Sequence, residues 1–117
     1  MSDPIVLGPD DGERLGRTGI SAHRVLGELP EFEAFEMSFQ PGWEGVDPHT
    51  HSDHVDSFYV LEGEAEFHVE GRTVRGGPGT YVAIPQGTVH GFRNAGPGVL
   101  RVLNIHSPNT GFGQGLR

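Results

Sequence analysis

Gly79-Thr-Tyr-Val-Ala-Ile-Pro85-Gln-Gly87-Thr-Val-His90-Gly-Phe-Arg-Asn94 reads as strand, tight turn, strand. Thr80 to Ile84 is rich in β-branched and aromatic residues, which favour a pleated backbone. Pro85-Gln86-Gly87 then supplies turn chemistry, proline fixing one φ and glycine freeing the next. Beyond the turn, Thr88, His90 and Phe92 fall on one face of a strand, because side chains alternate with period two. Their apolar neighbours point that face inward.

The same pattern extends in both directions. Phe35, Met37 and Phe39 alternate with Glu36 and Ser38, as a half-buried strand does. Ser57 to Glu62 reads as a second strand, stopped by Gly63. Ala65, Phe67 and Val69 alternate with polar residues, and Glu70-Gly71-Arg72 turns the chain back into Thr73 and Val74. Ser21 to Leu26 and Val99 to His106 read as further strands. Apolar spacing at i, i+3, i+4 is sustained nowhere, so no helix is predicted. The 19 glycines and 9 prolines are spread between short apolar runs. Many short strands with regular turns predict an all-β sandwich or closed barrel.

A chain of 117 residues predicts one domain spanning 1–117, large enough to bury a core without staples. Residues 109–117 are glycine-rich and read as a loose tail or a strip that docks on a partner. There is no cysteine, hence no disulfide, thiolate metal site or cysteine nucleophile. A net charge of −8 leaves no electrostatic footprint for nucleic acid or an anionic membrane. No apolar run approaches the ~20 residues of a membrane span. The first residues lack a basic region followed by an apolar run, so the expected location is cytoplasmic.

The chemistry concentrates in histidine. Of the seven, three lie in His49-Thr50-His51-Ser52-Asp53-His54. An HxH pair on a strand puts two imidazoles on one face, where they can chelate a divalent ion. Asp56 lies at an odd offset from His51, so it joins the pair only if residues 52–55 turn or bulge. Those residue types permit a turn. Asp56, Phe58 and Val60 then share one face of the next strand, with Tyr59 and Leu61 on the other.

Taken together these residues resemble the cupin superfamily, in particular its small single-domain, quercetin-dioxygenase-like members. The family's first motif is matched by His49, His51, Asp56 and Gly63. The second, G(x)5PxG(x)2H(x)3N, is matched at Gly79, Pro85, Gly87, His90 and Asn94. The resemblance implies a double-stranded β-helix, or jelly-roll, barrel. It also implies one metal ion held by His49, His51 and His90 with Asp56. Two features depart from the pattern. Gly42 and Gly45 miss the usual offset from His49, a loop variation. The family's acid is usually glutamate, and Asp56 is shorter by one methylene, about 1.5 Å, against a narrow metal–oxygen tolerance. This leaves open whether Asp56 ligates directly, through water or not at all, with His54 as the alternative fourth ligand.

Imidazole and carboxylate donors suit Fe, Mn, Ni, Zn or Cu and do not choose among them. Phe35, Met37, Phe39, Phe58 and Phe92, with Trp43 near the mouth, are the expected wall of an apolar pocket for a small molecule. His54 and His106 are the candidate catalytic proton carriers. His106 lies in an Ile-His-x-Pro run similar to one that closes the barrel in quercetin-dioxygenase-like cupins, and a plain turn histidine is the competing reading. The arginines are scattered, which disfavours a phosphorylated substrate. Tyr59 and Leu61 on an outer face predict a homodimer. Three functions remain open on these grounds: a metal-dependent dioxygenase of a small carbonyl or phenolic compound, a metal-assisted isomerase or lyase, and a non-catalytic ligand- or metal-binding module.

Overall fold

The computed structural model describes residues 3–16 and 20–117. Ten strands run in the order β1 (Arg14–Leu15), β2 (Ser21–Leu29), β3 (Phe32–Phe39), β4 (Val46–His49), β5 (Val55–Glu62), β6 (Ala65–Val69), β7 (Arg72–Gly76), β8 (Tyr81–Ile84), β9 (His90–Asn94) and β10 (Leu100–Ser107), followed by a short helix α1 (Phe112–Leu116). They form two antiparallel sheets. One has the order β1-β2-β3-β10-β5-β8, the other β4-β9-β6-β7.

The alternation seen in the sequence decides which faces meet. Phe35, Met37 and Phe39 of β3, Phe58 and Val60 of β5, Phe67 of β6, Phe92 of β9 and Val102 of β10 all point between the sheets and form one core. Polar and half-exposed residues alternate with them, as expected for sheets with one dry face. The expected all-β barrel is therefore the observed architecture. The β6–β7 hairpin turns at Glu70 and Gly71, with φ of 49° and 78°. Two positive φ values make the tight reversal whose twist suits adjoining strands.

Three expectations need correction. The tail at 109–117 is not loose. It folds back on its own barrel, where α1 buries Gly113 and packs Phe112 and Leu116 against the core. This is also a helix where none was predicted. Second, the HxH pair is not on one strand: β4 ends at His49, and His51 lies in the following loop. Third, Phe35 is fully buried in the core and is not part of the pocket wall. Among the described residues, no helix is long and apolar enough to cross a membrane.

Candidate metal centre

Strand pairing brings the separated histidines together. β4 pairs with β9 so that His49 and His90 are direct cross-strand partners. His51 is placed by the loop at 50–54, and the turn at 85–87 grips that loop: the Gly87 N–H donates to the His51 carbonyl at 2.6 Å. Asp56 stands on the inward face of β5, opposite His106 of β10. The loop is the turn that Asp56 required.

His49 Nε2 lies 2.9 Å from His51 Nε2, and Asp56 Oδ2 lies 3.1 Å from His90 Nε2 and 3.9 Å from His51 Nε2. Donors about 2.0–2.2 Å from a shared ion would be about 3 Å apart when adjacent, so these separations fit a common ion. Among the described residues, two groups have donor atoms mutually within 4.8 Å: His49, His51 and His90, and His51, His54 and Asp56. His51 belongs to both.

The other ring nitrogens explain which atoms face inward. His49 Nδ1 is 2.9 Å from the Asp47 carbonyl, and His90 Nδ1 is 2.9 Å from the Thr88 carbonyl. A carbonyl only accepts, so each Nδ1 carries the hydrogen and donates it. In the neutral ring Nε2 is then a bare lone pair directed into the cluster. This is how ligating histidines are generally oriented. A bare His90 Nε2 facing a carboxylate oxygen sets acceptor against acceptor, so a proton or a cation belongs between them. The donor set fits a divalent ion on those grounds.

Asp56 is itself held in place. Asn104 donates one N–H to Asp56 Oδ1 at 2.7 Å and another to the Ser57 carbonyl at 2.9 Å. His106 Nε2 is 3.5 Å from the same Oδ1. Asp56, His54, His90, Asn104 and His106 are all buried, whereas His49 and His51 are half-exposed at the mouth. Burial pushes the His51 pKa down from its ordinary value. The neighbouring His54 and His49 add to that, and the Asp56 charge opposes it. A neutral ring is the form that ligates. His54 turns its Nδ1 toward Asp53, 2.9 Å away, and its ring lies 5.1 Å from that of His106.

The cluster opens onto a cavity of about 340 Å³. Met37, Phe39, Trp43, Phe58 and Phe92 line it as expected, and Trp43 stacks on Phe39 at 3.9 Å between ring centroids. Among the described residues, no lysine or arginine lines it.

Several contributors were not anticipated, His23 and Thr110 of the lining among them. Phe112 of α1 closes one side of the cavity. Asn104 is the donor that fixes Asp56, and it had a sequence signal. Leu100, Val102, Asn104 and His106 form the inward face of β10, so Asn104 is an amide on a face otherwise apolar up to His106. Asn94, which completes the second motif, does not line the cavity. Its amide donates to the Phe39 and Gly98 carbonyls and its oxygen accepts from the Gly96 N–H, bracing a turn.

Comparison with known proteins places these features. The family model described as a cupin domain matches residues 35–106. Quercetin 2,3-dioxygenase of Bacillus subtilis (strain 168) is 30% identical over 93 residues, which is 77% of this chain and 27% of that protein. The HTH-type transcriptional regulator PuuR of Escherichia coli (strain K12) is 29% identical over 108 residues, 91% of this chain and 58% of the regulator. The chain thus spans only part of the length of either relative. Among solved structures, KdgF from Halomonas sp. superposes with a TM-score of 0.78 at 23% identity, covering 92% of this chain and 94% of that one. At that identity the likeness speaks to the fold.

Proposed function

The chain belongs to the cupin family, and from that premise we propose that it is a metal-dependent dioxygenase of a small, electron-rich phenolic or carbonyl compound. The observation that carries this reading is a cluster of nitrogen and oxygen donors set into an aromatic cavity with no lysine or arginine among its described lining residues. His49, His51 and His90 would hold the ion, with Asp56 as the fourth ligand. A divalent ion bound there supplies a Lewis-acid site and, for Fe, Mn, Ni or Cu, the redox chemistry that dioxygen needs.

The chain's own residues do the rest. Asn104 keeps one oxygen of Asp56 occupied, so the other is aimed at His90. Phe39, Trp43, Phe58 and Phe92 pack against a flat ligand and displace water from around it. His106 and His54 face the same cavity and can take or return a ligand hydroxyl proton, the role in which histidine is most useful near neutral pH. The likeness to quercetin 2,3-dioxygenase supports this reading, although it covers 27% of that protein. The test is oxygen consumption by Fe-, Mn-, Ni- and Cu-loaded protein across a panel of phenols and 1,3-dicarbonyl compounds. Metal-dependent uptake with one class is expected. No uptake with any metal and substrate would overturn the proposal.

The paired imidazoles beside Asp56 favour a second reading, metal-assisted proton transfer in an isomerase or lyase. Solvent deuterium entering a carbonyl compound without oxygen uptake would select it. The extent of the likeness to PuuR supports a third, a module that binds a small ligand without turnover. A small molecule retained through purification and released unchanged would select that one. We also read the protein as a homodimer, because Tyr59, Leu61 and Tyr81 stand exposed together on the outer face of β5 and β8.

A further inference from the structure

Glu33 on β3 does not line the cavity, yet it is fully buried. A buried carboxylate needs donors, and each of the four hydrogen bonds made to this one comes from a donor. The Thr110 N–H lies at 2.7 Å, the Gly113 N–H at 3.3 Å and His106 Nδ1 at 3.1 Å, and the Thr110 hydroxyl makes a short hydrogen bond to Oε2. Burial alone would raise the Glu33 pKa. The hydrogen bonds from Thr110, Gly113 and His106 outweigh it and hold the carboxyl below its ordinary value.

This one carboxylate does two things. His106 Nδ1 must carry a hydrogen to donate to Glu33, and it does so whether the ring is neutral or cationic. Nε2 is therefore the atom turned toward the cavity and toward Asp56 Oδ1. Glu33 also fastens residues 110–113, and this strap brings Phe112 against the His106 ring at 5.5 Å and against Phe35 at 5.4 Å. Thr110 and Phe112 both line the cavity.

We propose that Glu33 is the positioning residue of this site: it fixes the ring of His106 with Nε2 toward the cavity and seats the C-terminal strap as the cavity's end wall. The proposal rests on the reading of His106 as a proton carrier for a hydroxyl-bearing ligand. Glu33 acts through His106 and does not touch the ligand. A glutamine here would be a poor substitute, because its amide nitrogen presents N–H groups to a ring of donors.

Long-range 1H–15N NMR of the histidine side chains tests this on the unmodified chain. The expected result is a His106 Nδ1 resonance in the protonated range across neutral pH. A bare Nδ1 would overturn the proposal, and this arm does not depend on any variant folding. In Glu33→Gln the fixed tautomer should be lost, and amide exchange at Phe112 and Gly113 should speed at least about tenfold, as expected for losing hydrogen bonds to a charged group. Thr110→Val should speed the same amides while leaving the His106 tautomer unchanged. A Glu33→Gln protein with the wild-type tautomer and exchange would overturn the proposal. His106→Asn keeps a donor near the Nδ1 position and removes Nε2. Full turnover by that variant, with the expected His106 tautomer in the unmodified chain, would sink the proton-carrier reading alone and leave the geometry at Glu33 standing.

Discussion

Asp56 has one oxygen on Asn104 and the other toward His90, so its orientation is set by a residue of β10 that belongs to neither metal motif. Removing that neighbour should matter as much as such supporting partners usually do. Asn104→Ala is expected to weaken binding of Co(II) or Zn(II) by about 10–100-fold, read by competition with a chelator dye, while the histidines stay in place. The histidines were legible in the sequence because two spaced motifs agree on them. Asp56 stayed open because it is one methylene shorter than the glutamate usual in the motif, and because its odd offset from His51 needs a turn at 52–55 that the sequence permits without dictating. Glu33 was invisible for another reason. A glutamate beside Glu31 and Glu36 looks like a solvated surface residue, and only the fold puts Thr110 and Gly113 against it. Its lowered pKa fixes a pH dependence. The folded state favours the ionised carboxyl, so this contribution to stability is full above about 4.5 and is lost as pH falls through the lower folded value. Urea unfolding of Glu33→Gln should show a flatter dependence on pH below 4.5 than the unmodified chain, and an unchanged slope would contradict the assignment.

The elements show how closely the site depends on backbone approach. Gly91 sits next to His90 on β9, and a Cβ there would overlap the Val46 carbonyl oxygen and come within 3.0 Å of Pro48 N. Glycine is what lets β4 lie against β9 and set His49 opposite His90. Gly91→Ala is expected to cost about 1–3 kcal/mol by overpacking, seen as a lower urea midpoint, and to weaken metal binding because β4 must shift. Normal stability and affinity in that variant would contradict this account of the β4–β9 approach. β3 and β6 were legible because their apolar residues alternate over five positions, and β7 and β8 because turn residues and β-branched content mark them. β1 has two residues and no period to read. Helix α1 contains two glycines in five residues, which argues against a helix on propensity. It is held by tertiary contacts instead: Glu33 at its start, and Arg117 at its end paired with Glu13 at 2.6 Å and Glu28 at 2.5 Å. Pairing order was equally hidden. Nothing local tells β10 to insert between β3 and β5.

For the whole molecule, the inner and outer faces of the larger sheet divide the work. The inner face supplies Met37, Phe39, Asp56, Phe58, Asn104 and His106 to the cavity, which the smaller sheet completes with Val46, His49, His90 and Phe92. The outer face leaves Tyr59 and Tyr81, which are cross-strand partners, exposed with Leu61 beside them. A clustered apolar patch of this kind on a stable barrel is the usual mark of an interface. Light scattering coupled to size exclusion at micromolar concentration should give a dimer, and Leu61→Glu should shift it toward monomer without loss of metal. A monomer for the unmodified chain would contradict the homodimer.

The central claim is that one divalent ion is held by His49, His51 and His90 with Asp56, and not by the alternative group of His51, His54 and Asp56. The direct measurement is equilibrium Co(II) binding by the unmodified chain and by His51→Ala, His90→Ala and His54→Ala. One ion per chain is expected, with binding lost in His51→Ala and His90→Ala and kept in His54→Ala. Binding that survives His90→Ala but not His54→Ala would contradict it, as would the absence of a stoichiometric ion in the unmodified chain.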